Sequence, residues 1–286
     1  MMPQLIDTGP SEFGWHKYDN MKCPRFFALS HGEGRTTIPA SALVRGSMAH
    51  VALGQHYARL QATQQDKDPD AFYHVREGLI AYGKSLATEE ERKTFTEYFG
   101  ETIALHSQYL AQFGTDPTWE ILGVEKEERV HVSDGDEQYL YTQSIDLVIR
   151  TGGKVYFVDH KTMARRTPRV LERYEVDGQF IGYQWLGKLR YGHEFGGAII
   201  NALQKPRKNK SWEFRRVPVR PAPGLVRDFK TFIILSQRRL AKLREEFGET
   251  WGMWPSAPHS GNCYGTYGPC SFLDRCRRGE QHGRVV

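Results

Sequence analysis

The chain has 286 residues, of which 39% are hydrophobic, and its formal net charge is +5. This length and hydrophobic content suffice for one large or two small folded domains, and no apolar run approaches the roughly 20 residues that a membrane span needs. The first residues have neither the basic nor the apolar stretch of a secretion signal, so we expect none. Four cysteines in such a chain argue against a disulfide framework and leave metal binding or buried thiols.

The first part of the chain is predicted to be mostly helical. Residues 41–61 and residues 68–114 show the spacing of apolar side chains that is typical of helices, and Gly114 ends the second segment. Residues 78–85, GLIAYGKS, fit the phosphate-binding P-loop pattern, but no strand precedes them and their apolar residues suit the core face of a helix. We therefore predict no P-loop there.

The second part combines strands with helices. Strand-like periodicity predicts strands over residues 119–132, 138–150, 154–162, 196–205 and 212–220. Asp177 and Gly192 are residue types of an N-cap and of a helix end, which predicts a helix over residues 176–192. A long helix over residues 225–248 comes next, and then a Gly- and Pro-rich tail with three cysteines. This order predicts an α/β or α+β fold with a mixed central sheet.

One stretch, VYFVDHKT at residues 155–162, joins a buried strand to charged side chains. Asp159 and Lys161 are two residues apart, so in a strand they point to the same face. An ion pair at the end of a strand would explain this arrangement. A metal site with a charged neighbour would explain it equally well.

The glycine pair Gly152-Gly153 places a second carboxylate opposite the first. A two-residue hairpin loop fixes the register of its two strands, and in that register Asp146 lies opposite Asp159. Two like charges directly opposed on apolar strands destabilise the pairing unless something lies between them. A Mg²⁺ or Mn²⁺ ion would relieve the repulsion, because these ions prefer oxygen ligands. A protonated carboxylic acid or an intervening arginine would relieve it too.

Basic side chains are concentrated at residues 161–169 and residues 204–220. The second segment holds seven Lys or Arg together with Trp212 and Phe214. Cations interleaved with aromatic rings suit nucleic acid, although either segment alone could be a solvated loop. We therefore predict DNA contacts from Lys205, Arg207, Lys208, Lys210, Arg215, Arg216, Arg165 and Arg166.

Taken in chain order, these motifs resemble the PD-(D/E)XK nucleases of the RecB type. In that family a first acid is followed by an acid-x-Lys strand and then by a helix with the motif Q-x-x-x-Y. The matching residues here are Asp146, Asp159, Lys161, Gln179 and Tyr183. The family often has Gly three residues before the first acid, where this chain has Gln143.

The family's upstream G-x-x-x-H motif is matched by GSMAH at residues 46–50. Gly46 lies one helical turn before His50, so that this face of the helix can approach the sheet closely. The resemblance implies a restriction-endonuclease-like α/β fold. It implies that Mg²⁺ or Mn²⁺ is bound by His50, Asp146, Asp159 and the backbone carbonyl of His160. It assigns catalysis to Lys161, Asp159, Asp146, Gln179 and Tyr183.

The four cysteines lie at the two ends of the chain, as Cys23, Cys263, Cys270 and Cys276. This arrangement resembles the iron–sulfur branch of the family, which includes CRISPR-associated and viral single-chain nucleases and the AddB helicase–nuclease subunit. It implies a [4Fe–4S] cluster that joins the two ends of the chain. The spacing between Cys263 and Cys270 is longer than is usual in that branch. Four thiolates also suit Zn²⁺, which is the alternative.

The resemblance implies a metal-dependent DNA exonuclease that hydrolyses phosphodiester bonds in single-stranded or end-containing DNA, with 5′→3′ polarity favoured over 3′→5′. The expected setting is phage replication, CRISPR spacer acquisition or recombination, in the cytoplasm of a prokaryotic cell or of the host if the source is viral. A structure-specific endonuclease and a non-catalytic DNA-end-binding subunit are the alternatives. No membrane contact is expected, and the sequence indicates no particular protein partner.

We divide the chain into four parts. They are an N-terminal segment with the first cysteine, a helical region with His50, the nuclease core, and a C-terminal helix with the cysteine-rich tail, at residues 1–40, 41–118, 119–222 and 223–286. Because no helicase motif is found, we expect a stand-alone nuclease and not part of a motor protein.

Overall fold

The computed structural model describes residues 13–32, 41–63, 71–206, 211–257, 263–265 and 268–277. Within them, five strands form one sheet in the order β1–β2–β3–β4–β5. The strands are β1 (Glu120–Asp134), β2 (Glu137–Thr151), β3 (Lys154–Met163), β4 (Phe195–Gln204) and β5 (Glu213–Val219). Strands β3 and β4 are parallel and the other neighbours are antiparallel, so the sheet is mixed, as predicted. In the cysteine-rich tail, β6 (Tyr264–Gly265) pairs with β7 (Gly268–Pro269).

The helices flank this sheet on both sides. Before the sheet come α1 (Trp15–Asn20), α2 (Pro24–Phe27), α3 (Ser41–Ala62), α4 (Ala71–Ser85) and α5 (Glu89–Phe113). Between β3 and β4 come α6 (Pro168–Glu172) and α7 (Gly178–Tyr191), and after β5 come α8 (Pro223–Phe247) and α9 (Leu273–Arg277). The predicted α/β fold is confirmed. The residues that fit a P-loop pattern lie inside α4, so their helical interpretation is confirmed as well.

Local sequence signals account for the helix ends near the sheet. The stretch predicted as helical over residues 68–114 is two helices, because Thr88 and Glu91 form a capping box that begins α5. The side chain of Asp177 accepts a hydrogen bond from the Gln179 backbone N–H and caps α7. Gly192, with φ of 52°, ends α7 in a conformation that favours glycine.

Two apolar layers cover the two faces of the sheet. Helices α3 and α5 pack on one face through residues such as Leu53 and Leu105, against Leu147 and Val158. Helix α7 packs on the opposite face. Alternate strand residues therefore face different helices, as the two-residue period of a strand requires.

The ends of the described chain meet beside α8. The Arg25 backbone N–H and side chain donate hydrogen bonds to the carbonyls of Pro255 and Trp254. The rings of Phe26 and Phe272 meet edge to face, 5.5 Å apart. These contacts hold the N-terminal helices against the C-terminal tail.

No helix among the described residues is long and apolar enough to cross a membrane. The division of the chain at residues 40, 118 and 222 stays a prediction.

Candidate active site

The predicted hairpin register between β2 and β3 is present. Thr151 pairs with Lys154, and the same register continues to the pair Leu147–Val158, where the ladder ends. Gly152 and Gly153 form the turn with φ values of 55° and 74°, which glycine adopts without strain. The two aspartates are the next residues beyond the last pair, so both acids lie where the strands stop pairing.

Asp159 is fully buried and accepts hydrogen bonds from α7. Its Oδ1 atom lies 2.8 Å from Gln179 Nε2 and 3.2 Å from the Tyr183 hydroxyl. Its Oδ2 atom lies 2.8 Å from Lys161 Nζ, which also donates to Gln179 Oε1 at 2.9 Å. The four side chains thus form one contiguous polar cluster on the face of β3 that α7 covers.

The electrostatics of this cluster keep Lys161 charged. Burial disfavours the ammonium, but attraction by Asp159 and Asp146 outweighs burial and places the Lys161 pKa well above its usual range. Burial and repulsion from Asp146 raise the pKa of Asp159, although Lys161 attracts its charge. In the metal-free protein, Lys161 is therefore held as a cation at neutral pH.

A second group of ligands surrounds Asp146. His50 Nδ1 lies 3.3 Å from Asp146 Oδ2, and the His160 backbone N–H donates to the same oxygen at 2.7 Å. One ligand atom each from His50, Glu125 and Asp146 lie within 4.8 Å of one another. The spacing within this trio would fit one divalent cation, and an imidazole with two carboxylates is a donor set that suits Mn²⁺ or Mg²⁺.

Helix α3 reaches this group near Gly46. A Cβ atom on Gly46 would lie 3.7 Å from Thr162 Oγ1, so the helix passes close to the end of β3 at this point. His50, one turn later, consequently points to Asp146. A Cβ atom at position 46 would make only an ordinary van der Waals contact there, so the role of Gly46 in the G-x-x-x-H motif stays a prediction.

The proton on His50 is held tightly in the protein alone. Burial opposes the charged ring, but Asp146 and Glu125 outweigh burial and raise the pKa of His50 to about 9. Burial likewise opposes the charge on Asp146, but attraction and a hydrogen bond from His50 hold its pKa well below the usual range. A site that attracts a proton so strongly also attracts a metal cation in its place.

Glu125 was missed by the sequence analysis. In the β1–β2 ladder Val124 pairs with Leu147 and Lys126 with Ile145, so Glu125 falls opposite Asp146. Its φ of 46° is unusual for a residue other than glycine, and such backbone conformations concentrate at functional sites. The signal was available, because the turn at Gly135 fixes this register in the same way that Gly152-Gly153 fixes the next one.

Gln143, which stands where the family often has glycine, ties β2 to α7. Its side-chain amide donates to the Gln179 carbonyl at 3.0 Å, and its oxygen accepts from Tyr141 at 2.5 Å. A Cβ on Gly182 would lie 2.7 Å from Gln143 Oε1, so α7 packs closely here. The departure from the family pattern therefore supports the position of Gln179.

The ring of His160 lies outside the trio around Asp146, and its centre is 6.1 Å from that of the His50 ring. It stacks on Tyr57 at 5.8 Å, and its Nδ1 lies 2.9 Å from Asn201 Nδ2 on the face of the sheet that α3 covers. Burial lowers its pKa to about 3, so the ring is neutral. The ring is thus not among the ligands around Asp146, and coordination by the His160 carbonyl stays a prediction.

The expectation for Arg216 needs correction. Its guanidinium forms paired hydrogen bonds of 2.6 and 2.7 Å with Asp116 and lies 3.7 Å from the ring centres of Phe113 and Trp119. It also donates to the hydroxyl of Tyr109 at 3.0 Å. Because Asp116 and the surrounding rings already engage this cation, Arg216 stabilises the fold and is not available to bind a phosphate.

The other predicted DNA-binding residues are differently placed. Arg207, Lys208 and Lys210 lie outside the described residues. Arg165 and Arg215 are exposed, and Lys205 and Arg166 are half-buried. Lys205 lines a small cavity with Arg45, Glu101 and Trp212, and burial lowers its pKa. Their contacts with DNA stay predictions.

The four cysteines line one cavity of about 410 Å³ between the N-terminal helices and the C-terminal tail. Cys270 donates its backbone N–H to the Cys263 carbonyl, so the small hairpin in the tail brings these two together. Burial raises the pKa of Cys270, and the other three thiols raise it further. Among the described residues, no three cysteine sulfurs lie within 4.8 Å of one another.

The comparison with known families decides the assignment. The model of the PD-(D/E)XK nuclease superfamily matches residues 19–277, nearly the whole chain. The chain belongs to the PD-(D/E)XK nuclease superfamily. Membership implies metal-dependent cleavage of nucleic acid, and the mixed sheet flanked by helices is consistent with the fold of this superfamily.

Solved structures add only distant likenesses to this PD-(D/E)XK chain. The crystal structure of SSO0001 is 12% identical with a TM-score of 0.30, over 75% of this chain and 85% of that one. The crystal structure of protein VC1899 from Vibrio cholerae is 16% identical with a TM-score of 0.21, over 80% of this chain and 58% of that one. No curated protein matches the chain.

Proposed function

We propose that this PD-(D/E)XK protein is a metal-dependent DNA exonuclease that acts on single strands or on DNA ends, with 5′→3′ polarity favoured. The observation that carries the proposal is the meeting of His50, Asp146, Asp159 and Lys161 at one end of the β2–β3 ladder. A non-catalytic relative of the same fold would have no need to keep every one of these side chains. The basic residues that follow β3 and β4 support a polyanionic substrate.

The metal would be held by the trio around Asp146. His50, Asp146 and Glu125 provide the ligand atoms that already lie together, and Asp159 and the His160 carbonyl are the further ligands that we propose. A bound Mg²⁺ or Mn²⁺ would supply positive charge that polarises the phosphodiester and favours ionisation of water. His50 would have to lose its proton before it could bind a metal ion. Binding of the metal would therefore release a proton, and the metal affinity would depend on pH.

Lys161, Gln179 and Tyr183 have no place in metal binding here. Lys161 would stabilise charge on the phosphate, and the other two would hold the site residues in position. The Lys161 ammonium stabilises the negative charge that develops on the phosphate as the bond breaks. Gln179 holds Lys161 through its oxygen and Asp159 through its amide, so it fixes the distance between them. Tyr183 bridges Asp159 and the Ser144 carbonyl, which keeps α7 and β2 aligned around the site.

We infer that the cysteine cavity holds a [4Fe–4S] cluster. Around a single tetrahedral Zn²⁺ with bonds near 2.3 Å, sulfurs lie about 3.8 Å apart. No three cysteine sulfurs of the described chain are within 4.8 Å, and the cavity measures about 410 Å³, which favours a larger group. Such a group would crosslink the N-terminal helices to the C-terminal tail, and it would lie apart from Asp146, Asp159 and Lys161, because none of them lines this cavity.

The test is cleavage of single-stranded DNA labelled at the 5′ or the 3′ end, in Mg²⁺, Mn²⁺ or EDTA. An exonuclease releases mononucleotides or short products from one labelled end and leaves the other label on long products. Cleavage of covalently closed circles would favour a structure-specific endonuclease. Binding of DNA ends with no cleavage in either metal would favour the non-catalytic alternative.

A further inference from the structure

The connection between β3 and α7, residues 164–177, combines exposed cations with an aromatic ring. Arg165, Arg169 and Arg173 are all exposed. Residues 164–176 contain four arginines and two glutamates, so the segment carries a net positive charge of two. No role in the proposed cleavage has been assigned to residues 167–176.

Backbone hydrogen bonds give this connection a fixed shape. Thr167 caps α6 by accepting from the Val170 N–H, and a 3₁₀ turn over residues 173–175 follows directly. The Asp177 N–H then donates to the Tyr174 carbonyl at 3.4 Å, just before α7 begins. Tyr174 is therefore held in an ordered turn and is five residues from Gln179.

The ring of Tyr174 lies at the edge of the catalytic cluster. It meets Phe180 edge to face with ring centres 5.3 Å apart, and Lys161 Nζ lies 5.9 Å from the centre of the Phe180 ring. Tyr174 is only half-buried, whereas Phe180 is fully buried. Tyr174 is thus the outermost ring of this small stack, whose inner ring, Phe180, lies next to Lys161.

We propose that Tyr174 stacks on the nucleobase next to the scissile phosphate and that Arg165, Arg169 and Arg173 contact the phosphates of the same strand. The inference rests on the proposed function, because the position of the phosphate is set by Lys161. Aromatic rings interleaved with cations are the usual surface for single strands, where each base has a face available for stacking. In a duplex those faces are covered by neighbouring bases, so Tyr174 selects single strands or frayed ends.

The test measures binding in EDTA, where no metal supports cleavage, by anisotropy of a fluorescent single strand and of its blunt duplex. Tyr174→Leu keeps the apolar contact with Phe180 but removes the aromatic face. We expect it to weaken single-strand binding by about tenfold and duplex binding much less. Tyr174→Phe and Tyr174→Trp should bind within about twofold of the wild type, because both keep a ring. Tyr139→Leu is the matched control, since Tyr139 is also half-buried but contacts Glu137 at the far end of β2.

The outcomes separate the stacking role from the nuclease itself. Loss of single-strand affinity in Tyr174→Leu but not in Tyr174→Phe, with unchanged melting temperatures, supports stacking. Wild-type affinity in Tyr174→Leu, or an equal loss for single strand and duplex, overturns it even if the protein cleaves DNA normally. If the wild type fails to cleave in Mg²⁺ and Mn²⁺ but Tyr174→Leu still loses single-strand affinity, the nuclease proposal fails and the base-binding site stands.

Discussion

The ammonium of Lys161 lies 2.8 Å from Oδ2 of Asp159, and Gln179 bonds both groups from the first turn of α7. Because Lys161 stays protonated, we expect it to act through its charge. Lys161→Met should therefore lower the rate of cleavage by about 10²–10³-fold, the usual effect of removing one group that stabilises transition-state charge. DNA affinity in EDTA should stay nearly unchanged.

Lys154→Met is the matched control for this prediction. Lys154 lies at the other end of β3 and donates to the His193 carbonyl, away from the acids. Cleavage by Lys161→Met at the control's rate would show that the active site has been assigned to the wrong residues.

Glu125 should take part in metal binding, although it is absent from the family motifs. Replacing it by glutamine keeps its size but removes the charge opposite Asp146, so Glu125→Gln should weaken Mn²⁺ binding by about tenfold or more. Titration calorimetry with Mn²⁺ measures this. Glu127→Gln, two residues along β1, removes an exposed carboxylate that pairs with Arg129 and should leave Mn²⁺ affinity unchanged. Equal affinities in the two variants would remove Glu125 from the site.

The raised pKa of His50 predicts how stability depends on pH in the metal-free protein. A group whose folded pKa exceeds its unfolded pKa stabilises the fold fully below the unfolded value and loses that effect as pH rises through the folded value. For His50 these values are 6.5 and about 9, so stability in EDTA should fall between pH 6.5 and pH 9. The loss should be at most about 3 kcal/mol. Asp146 adds no slope there, because its carboxylate is ionised in both states.

Urea denaturation at a series of pH values measures this dependence. His50→Ala should show a flatter profile than the wild type over the same range. Identical slopes would mean that His50 does not carry the raised pKa.

The basic segment after β4 should line the path of the DNA. Changing Lys208, Lys210 and Arg215 together to alanine should weaken binding of single strands. It should also reduce the slope of log K against log salt by up to about 2, because each phosphate contact contributes about 0.7. Lys230, Arg239 and Lys242, exposed on α8, form a charge-matched control triple. If the slope of log K against log salt were unchanged in the variant of Lys208, Lys210 and Arg215, the segment would not contact DNA and would be interpreted as a solvated loop.

The cysteines should stabilise the fold but take no part in catalysis. Cys23 and Cys263 are about 240 residues apart, and a crosslink that closes so long a loop restricts the unfolded chain strongly. Cys23→Ser should therefore lower the melting temperature and the yield of folded protein. Activity per folded molecule should be kept. Loss of activity with an unchanged melting temperature would contradict a purely structural role.

Metal analysis of protein prepared without oxygen distinguishes the cluster from zinc. About four irons with matching sulfide per chain, and absorbance that bleaches on reduction, support the cluster. About one zinc supports the alternative. Neither metal would leave four ordinary thiols.

The sequence predicts most of the fold because its signals here are local. The periodicity of apolar residues and the residues that cap helices predict the strands and the helices. The Gly152-Gly153 turn predicts the β2–β3 register, which brings Asp146 near Asp159. Glu125 was missed because its position follows from a second register, that of the Gly135 turn, which was not used, and because its left-handed backbone conformation is marked by no motif.

Arg216 was misjudged for a different reason. In the sequence it is one of seven cations in a basic segment, and nothing nearby shows that Asp116, 100 residues earlier, lies beside it. Whether an arginine in a strand faces solvent or a distant carboxylate depends on tertiary packing. The same limit applies to Tyr174, whose position beside Lys161 follows from the turn before α7.

The location of bound Mn²⁺ tests the assignment of the site most directly. Anomalous scattering from crystals soaked in Mn²⁺ should show one strong peak within bonding distance of His50 Nδ1 and of the Asp146 carboxylate, on the side that Glu125 and Asp159 face. A well-occupied Mn²⁺ elsewhere, with these side chains still hydrogen-bonded to one another, would contradict the metal centre and the mechanism built on it.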